Sequence, residues 1–234
     1  MMIYERGNAA KQWMLGELDR RFGRANARVL DLACGNGHKW SSFVVSHPEW
    51  CVVGVDTDAV AVERGRSEFQ GVPQVDLRVL DAQRPVEEGT FDAVVAMSAI
   101  EHVVDRPAFL KTVWTALKPG GVAYLNYDAG HFRSSDWKER LMVPVSQALT
   151  VFGIEGPYMK RVDDAEFRRQ AEAQGFRVIA VRKHNLHPLK GFMRGASDDA
   201  IRVWYGLEDR MGSLFTPEQL DNVMWSTTLV LEKP

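Results

Sequence analysis

A chain of 234 residues, 45% of them hydrophobic, is long enough to bury one full core, so a single domain with insertions is the expected organisation. Charged residues make up 26% and nearly cancel, to a net charge of -2, which removes the electrostatic footprint of a general nucleic-acid binder. The two cysteines, Cys34 and Cys51, lie in apolar strand-like contexts and are too few for a disulfide framework or a zinc site; with no apolar signal core at the N-terminus and no run near the roughly 18 apolar residues of a membrane span, a soluble, cytoplasmic protein is expected.

In chain order, Trp13, Met14, Leu18 and Phe22 recur at helical spacing and predict a helix over about Glu5 to Phe22, stopped by Gly23. The runs "RVLDLA", "CVVGVD", "VDLRVLD", "FDAVVAM" and "GVAYLNY" are short, apolar and rich in β-branched residues, as buried parallel strands require. Between the fourth and fifth lies the clearest helix, "DRPAFLKTVWTALKPGG": Asp105 caps it, Pro107 fits its first turn, Phe109, Leu110, Val113, Trp114 and Leu117 share one face, and Pro119 with Gly120-Gly121 ends it. The alternation then lapses for about thirty residues. It resumes with the helical "DDAEFRRQAEAQ" and the strand "FRVIAVRKH", lapses again from about Asn185 to Val223, and closes on the strand "STTLVLEK". Strands alternating with helices give a doubly wound, mostly parallel seven-stranded α/β sheet, with the ligand site beyond the C-terminal ends of its strands. The second lapse carries Phe192, Met193, Trp204, Tyr205, Met211 and Phe215, more aromatic than a disordered linker, and both lapses read as lids or walls of a binding site.

The chemistry concentrates at strand ends. "VLDLACGNG", Val29 to Gly37, runs from the first strand into Gly35-Asn36-Gly37, a turn whose glycines let a ligand approach the backbone and whose N–H groups favour electronegative atoms. Alone, this turn serves equally as geometry. Asp56 ends the second strand, nineteen residues after Gly37, where an acid can accept both ribose hydroxyls of an adenosine; Asp81 ends the third, within reach of the same crevice. Each acid by itself reads as a cap or turn residue, but three at the ends of three successive strands point to one ligand.

With these stretches, and with "FDAVVAMSAIEHV" and "ALKPGGVAYLN" in the same order, the sequence resembles the class I S-adenosylmethionine-dependent methyltransferases of the small-molecule group over about Val29 to Asn126. The resemblance implies a Rossmann-like methyltransferase domain over 1–234, with an N-terminal helical lid (1–27), a cofactor-binding core (28–128) and helical acceptor-side insertions after the fifth and sixth strands (129–162 and 185–223). It implies that Asp31, Ala33, Gly35 and Gly37 wall the methionine part of S-adenosylmethionine, that the backbone near Met97 binds its amine, and that Asp56 takes the ribose hydroxyls. Thr57 would flank the adenine, and Asp81 with Ala82 would address its exocyclic amine. Ala33 stands where relatives often carry Gly. Glu101-His102 is a signature dipeptide in which His102 orients the loop beside the cofactor, and Tyr4 is a candidate lid contact. No metal is implied, and a homodimer is compatible with the resemblance.

A nicotinamide-dependent oxidoreductase is the alternative enzyme, but its G-x-G-x-x-G turn would need glycine where this chain has Trp40. A non-catalytic binding protein of the same fold is the other alternative. The patterns of nucleic-acid base methylation, Asn/Asp-Pro-Pro-aromatic after the fourth strand or a Pro-Cys nucleophile, do not occur, which favours a small-molecule acceptor methylated at O or N. "NYDAGH" leaves the fifth strand beside the fourth, so Tyr127 and His131 are the expected acceptor-side groups, with His131 as base or hydrogen-bonding partner.

Overall fold

The computed structural model describes residues 2–23, 25–129, 132, 137–151 and 158–234. Seven strands form one sheet in the order β3-β2-β1-β4-β5-β7-β6: β1 (Arg28–Leu32), β2 (Cys51–Asp56), β3 (Val75–Val79), β4 (Phe91–Ala96), β5 (Leu117–Asp128), β6 (Arg177–Leu186) and β7 (Met224–Glu232). The first five pair in parallel, and β7 lies antiparallel between β5 and β6. The order reverses between β1 and β4, which opens a crevice above their C-terminal ends.

Both faces of the sheet are covered, so its central strands are buried on both sides. One face packs against α1 (Ala9–Phe22), α2 (Ser41–Ser46) and α3 (Ala59–Glu68) through Met14, Leu15, Leu18, Phe43 and Val62. The other packs against α4 (Arg106–Ala116) and α6 (Asp164–Ala173) through Phe109, Leu110, Val113, Phe167 and Ala171. Successive β1 residues alternate between the two cores, Val29 to the first and Leu30 to the second, as the pleat requires. Asp105 caps α4 by accepting the Ala108 N–H at 2.9 Å, as its sequence implies.

Two boundaries differ from the sequence expectation: α4 ends at Ala116, so that Leu117 and the Pro119-Gly120-Gly121 stretch already belong to β5, and α1 starts late. The first helix begins at Ala9, capped by Asn8, and the residues before it form a strap. Gln12 holds this strap by accepting the Tyr4 and Glu5 N–H groups and donating to the Met2 carbonyl. Both inserts are helical, as expected: the one after β5 contains α5 (Trp137–Val151), and the one after β6 contains the seventeen-residue α7 (Asp198–Leu214) and the short α8 (Pro217–Leu220). In α7, Ile201, Trp204, Tyr205 and Glu208 form the buried face, and Glu208 fastens it to the end of β6 by accepting the Asn185 and Leu186 N–H groups. Gly206, Gly212 and a charged residue on the inner face obscure the helical period in the sequence.

Candidate functional site

The β1 turn is shaped from below and above. In α3, a Cβ on Gly65 would meet the Asn36 carbonyl oxygen at 2.4 Å, so only glycine lets this helix seat the turn so closely. Gly35 adopts φ +59°, and a Cβ there would meet nothing within 4 Å: its bare face opens on the crevice. Ala33 and Ser98, both lining the crevice, hold left-handed φ values of +59° and +58° without being glycine, a local strain typical of binding sites. The Ala33 conformation gives the physical reason why glycine suits that position.

Two adjoining lobes of about 490 and 440 Å³ form the crevice over the ends of β1 to β4. Ala33, Asp56, Thr57, Ala99 and His102 line both. Gly35 and Met97 line the first lobe, Asp81 and Ala82 the second. Every sequence-predicted cofactor residue except Tyr4, Asp31 and Gly37 therefore meets in one space.

The acids hold distinct positions. Asp56 accepts the Gly35 N–H at 2.7 Å and the Asp58 N–H at 2.9 Å, while Asp58 itself caps α3. Asp56 is thus no helix cap; it joins the ends of β1 and β2, and each of its oxygens keeps further lone-pair capacity for a ligand hydroxyl. Asp81 accepts the Gln83 N–H through Oδ1 at 2.8 Å. Asp31 is fully buried beneath the crevice; its Oδ2 accepts from Lys39 Nζ and the Trp40 indole N–H, both at 2.7 Å, and its Oδ1 has no partner among the described residues. Its contact with the crevice runs through Lys39. Gly37 turns inward, with Leu77 and Phe69 where its Cβ would be.

Tyr4 departs from the lid expectation. Its ring is buried against Phe43, and its hydroxyl donates to Asp19 at 3.1 Å, so it lines a separate cavity beside α1. Burial and the Asp19 carboxylate push its phenol up to about 12. From the same segment Glu5 and Lys11 line the crevice instead. Lys11 makes no ion pair among the described residues, and burial with the neighbouring Lys39 lowers its pKa. A cation left open in the lobe lined by the uncovered Gly35 suits a carboxylate. No spacing rule in the sequence exposes Lys11.

At the far end of the crevice, a 3₁₀ turn, Ile100–His102, follows β4. His102 Nδ1 lies 3.1 Å from the Tyr158 carbonyl, which tethers this turn to the insert after β5. Glu101 is almost fully buried: its Oε1 accepts the Asp128 N–H at 3.2 Å and its Oε2 has no partner among the described residues. Burial, with the Asp128 carboxylate beside it, pushes its carboxyl up to about 7. Asp128 forms an ion pair with Lys190 from the second insert. The dipeptide signal marked this location; the burial that sets the carboxyl's proton affinity is a tertiary property.

Tyr127 lies outside the crevice. Its ring packs at 86° against Phe167, and it lines a cavity of about 500 Å³ at the end of β5 with Asp128, Arg161, Asp164 and Lys183. Burial and the Asp164 carboxylate hold its phenol well above the ordinary value, so it donates a hydrogen bond and does not take up a proton. His131 lies outside the described residues. Among the described residues no cluster of His, Cys, Asp and Glu forms a metal site, and no helix is long and apolar enough to cross a membrane.

The sequence pattern of a family described as a methyltransferase domain matches residues 30–125. A ubiquinone biosynthesis O-methyltransferase of Methylobacterium nodulans is 36% identical over 217 residues, covering 81% of this chain and 78% of that protein. A namesake from Xanthomonas axonopodis pv. citri is 37% identical over 108 residues, and that match spans less than half of either protein, 45% of each. In structure, geranyl diphosphate C-methyltransferase from Streptomyces coelicolor A3(2) superposes with a TM-score of 0.60 at 16% identity, over 95% of this chain and 79% of that one, a likeness of fold.

Proposed function

Because this chain belongs to the class I S-adenosylmethionine-dependent methyltransferases, we propose that it moves the methyl group of that cofactor to the oxygen or nitrogen of a small-molecule acceptor by in-line displacement. The observation that carries the proposal is the single crevice in which Gly35, Asp56, Asp81, Met97 and the open Lys11 converge. Bound there, S-adenosylmethionine supplies a methyl group already activated as a sulfonium. The chain's part is to hold, align and exclude water, which accounts for large rate factors in well-oriented reactions.

In this reading Lys11 receives the methionine carboxylate, the backbone at Met97 the amine, Asp56 the ribose hydroxyls, and Asp81 with Ala82 the adenine edge beside Thr57. Asp31 acts from below by fixing Lys39. The acceptor lies toward the ends of β4 and β5, between the crevice and the two inserts. His131 remains the proposed hydrogen-bonding partner or base for its nucleophile, and Tyr127 a donor in the wall behind it. The nicotinamide alternative is disfavoured by Trp40, whose fully buried indole fills the space that close helix-to-strand packing would need. Cys34 and Cys51 are free thiols, which accords with a cytoplasmic setting, and the exposed apolar residues Val203, Leu207 and Leu214 of α7 accord with a homodimer.

The test is incubation of the purified protein with methyl-labelled S-adenosylmethionine and metabolite extracts, with the labelled product identified by mass spectrometry. Calorimetry of S-adenosylhomocysteine against NAD checks the cofactor separately; tighter binding of NAD would overturn the proposal.

A further inference from the structure

Beside the crevice, α1, β6 and α7 enclose a second cavity of about 330 Å³, which shares no lining residue with the crevice lobes. Its size falls within the roughly 300–1,000 Å³ of small-molecule pockets. Trp13, Tyr4 and Tyr205 supply aromatic walls, and His184 and Arg182 of β6 line it as well. The Trp13 ring centroid is 5.0 Å from that of His184, and the Arg182 guanidinium lies 5.5 Å from the Trp13 ring.

One feature of these walls is costly to the folded chain and serves no contact within it. Gly16, in the middle of α1, lines the cavity with ordinary backbone geometry, and a Cβ there would meet nothing within 4 Å. Neither strain nor close approach requires glycine at a helix-interior position where alanine is the better helix former; what its bare face provides is room. Arg182 Nη2 bonds the Asp209 carboxylate and carbonyl, while Arg182 Nε and His184 Nε2 are buried within the wall with no surface open to the cavity. Burial and the neighbouring Arg182 and Lys183 pull the His184 imidazole down to about 3, so it presents a neutral ring at neutral pH. The rim charges are already satisfied: Arg182 pairs with Asp209, and Asp19 accepts from Tyr4 and lies 3.0 Å from His47.

We infer that this cavity is a second binding site, taking a small planar aromatic molecule. The aromatic walls pack on its ring, and the space left by Gly16 accommodates its width. The inference stands apart from the methyl-transfer reading, because the site is defined without the crevice and binding is measured without turnover.

The experiment titrates the full-length protein with 1-naphthoate by calorimetry, with and without saturating S-adenosylhomocysteine. Saturable one-to-one binding is expected, persisting within about threefold when S-adenosylhomocysteine is present. Gly16→Leu, which fills the cavity from a position outside the cofactor machinery, should weaken binding by about tenfold or more. Gly16→Ala should weaken it by about threefold and decides the matter should Gly16→Leu fail to fold. Absence of saturation, displacement of 1-naphthoate by S-adenosylhomocysteine, or unchanged affinity in the folded Gly16 variants would each overturn the inference.

Discussion

Removing the ionisable carboxyl of Glu101 should change how stability depends on pH. In the unfolded chain this group titrates near 4.5, and in the folded chain at about 7, first because it is buried and then because Asp128 stands beside it. The native state therefore holds the proton more tightly than the unfolded state. The contribution is absent below about pH 4.5, turns unfavourable as pH rises, and levels off above about pH 7 at a destabilisation of about 3 kcal/mol. His184 works in the opposite sense. Its folded value of about 3 lies below its unfolded 6.5, so the stability it contributes is present above pH 6.5 and lost as pH falls toward 3. The two overlap between about pH 4.5 and 6.5, so the wild-type profile alone does not isolate either. Glu101→Gln does: the amide oxygen still accepts the Asp128 N–H, and any cost of burying its NH₂ group is independent of pH. Urea unfolding of wild type and variant from pH 5 to 8 should show the variant gaining roughly 2 to 3 kcal/mol relative to wild type across that range. Parallel stability curves would refute the reasoning, because they would mean that Glu101 ionises as freely in the fold as out of it.

Asp56→Ala should weaken S-adenosylhomocysteine binding by roughly 1.5 to 3 kcal/mol, and because the Gly35 N–H loses its acceptor, stability should fall by about 1 kcal/mol; calorimetry and melting separate the two. Lys11→Met is expected to weaken the same ligand by about tenfold while leaving stability unchanged or higher, since it removes a desolvated cation that has no ion-pair partner in the described fold. Equal affinity by calorimetry would remove the carboxylate role. Ala33→Gly should raise stability by about 0.5 kcal/mol, the relief of a left-handed alanine exceeding the added freedom of the unfolded chain, as read by denaturant midpoint. His131→Ala should cut kcat by roughly 10² with cofactor affinity nearly unchanged; turnover retained from about pH 6 to 9 would leave catalysis to positioning alone.

Local patterns carried much of this protein on their face. Five β-branched apolar runs became the five parallel strands, the Asp105 cap formed as its sequence implied and so did the α4 face apart from Leu117, which opens β5, and Asp56 and Asp81 lie at their strand ends in the crevice, with Asp31 buried beneath it. These features depend on a residue and its near neighbours, which is why they are legible in one dimension. Which side of α1 meets the crevice is decided by how that helix lies on the sheet. The same packing turns Tyr4 toward Asp19 and sets Lys11 in the crevice wall. The burial of Glu101 depends on Asp128, 27 residues away, and on Lys190, 62 residues beyond that, and its proton affinity follows from desolvation that no motif encodes. The length of α7 was masked by Gly206, Gly212 and the inward Glu208, whose carboxylate finds its three N–H partners only once β6 and Trp204 are in place. Sequence determined the elements and the chemistry at their ends; the environment of each side chain, set by distant segments brought together, came from the tertiary structure alone.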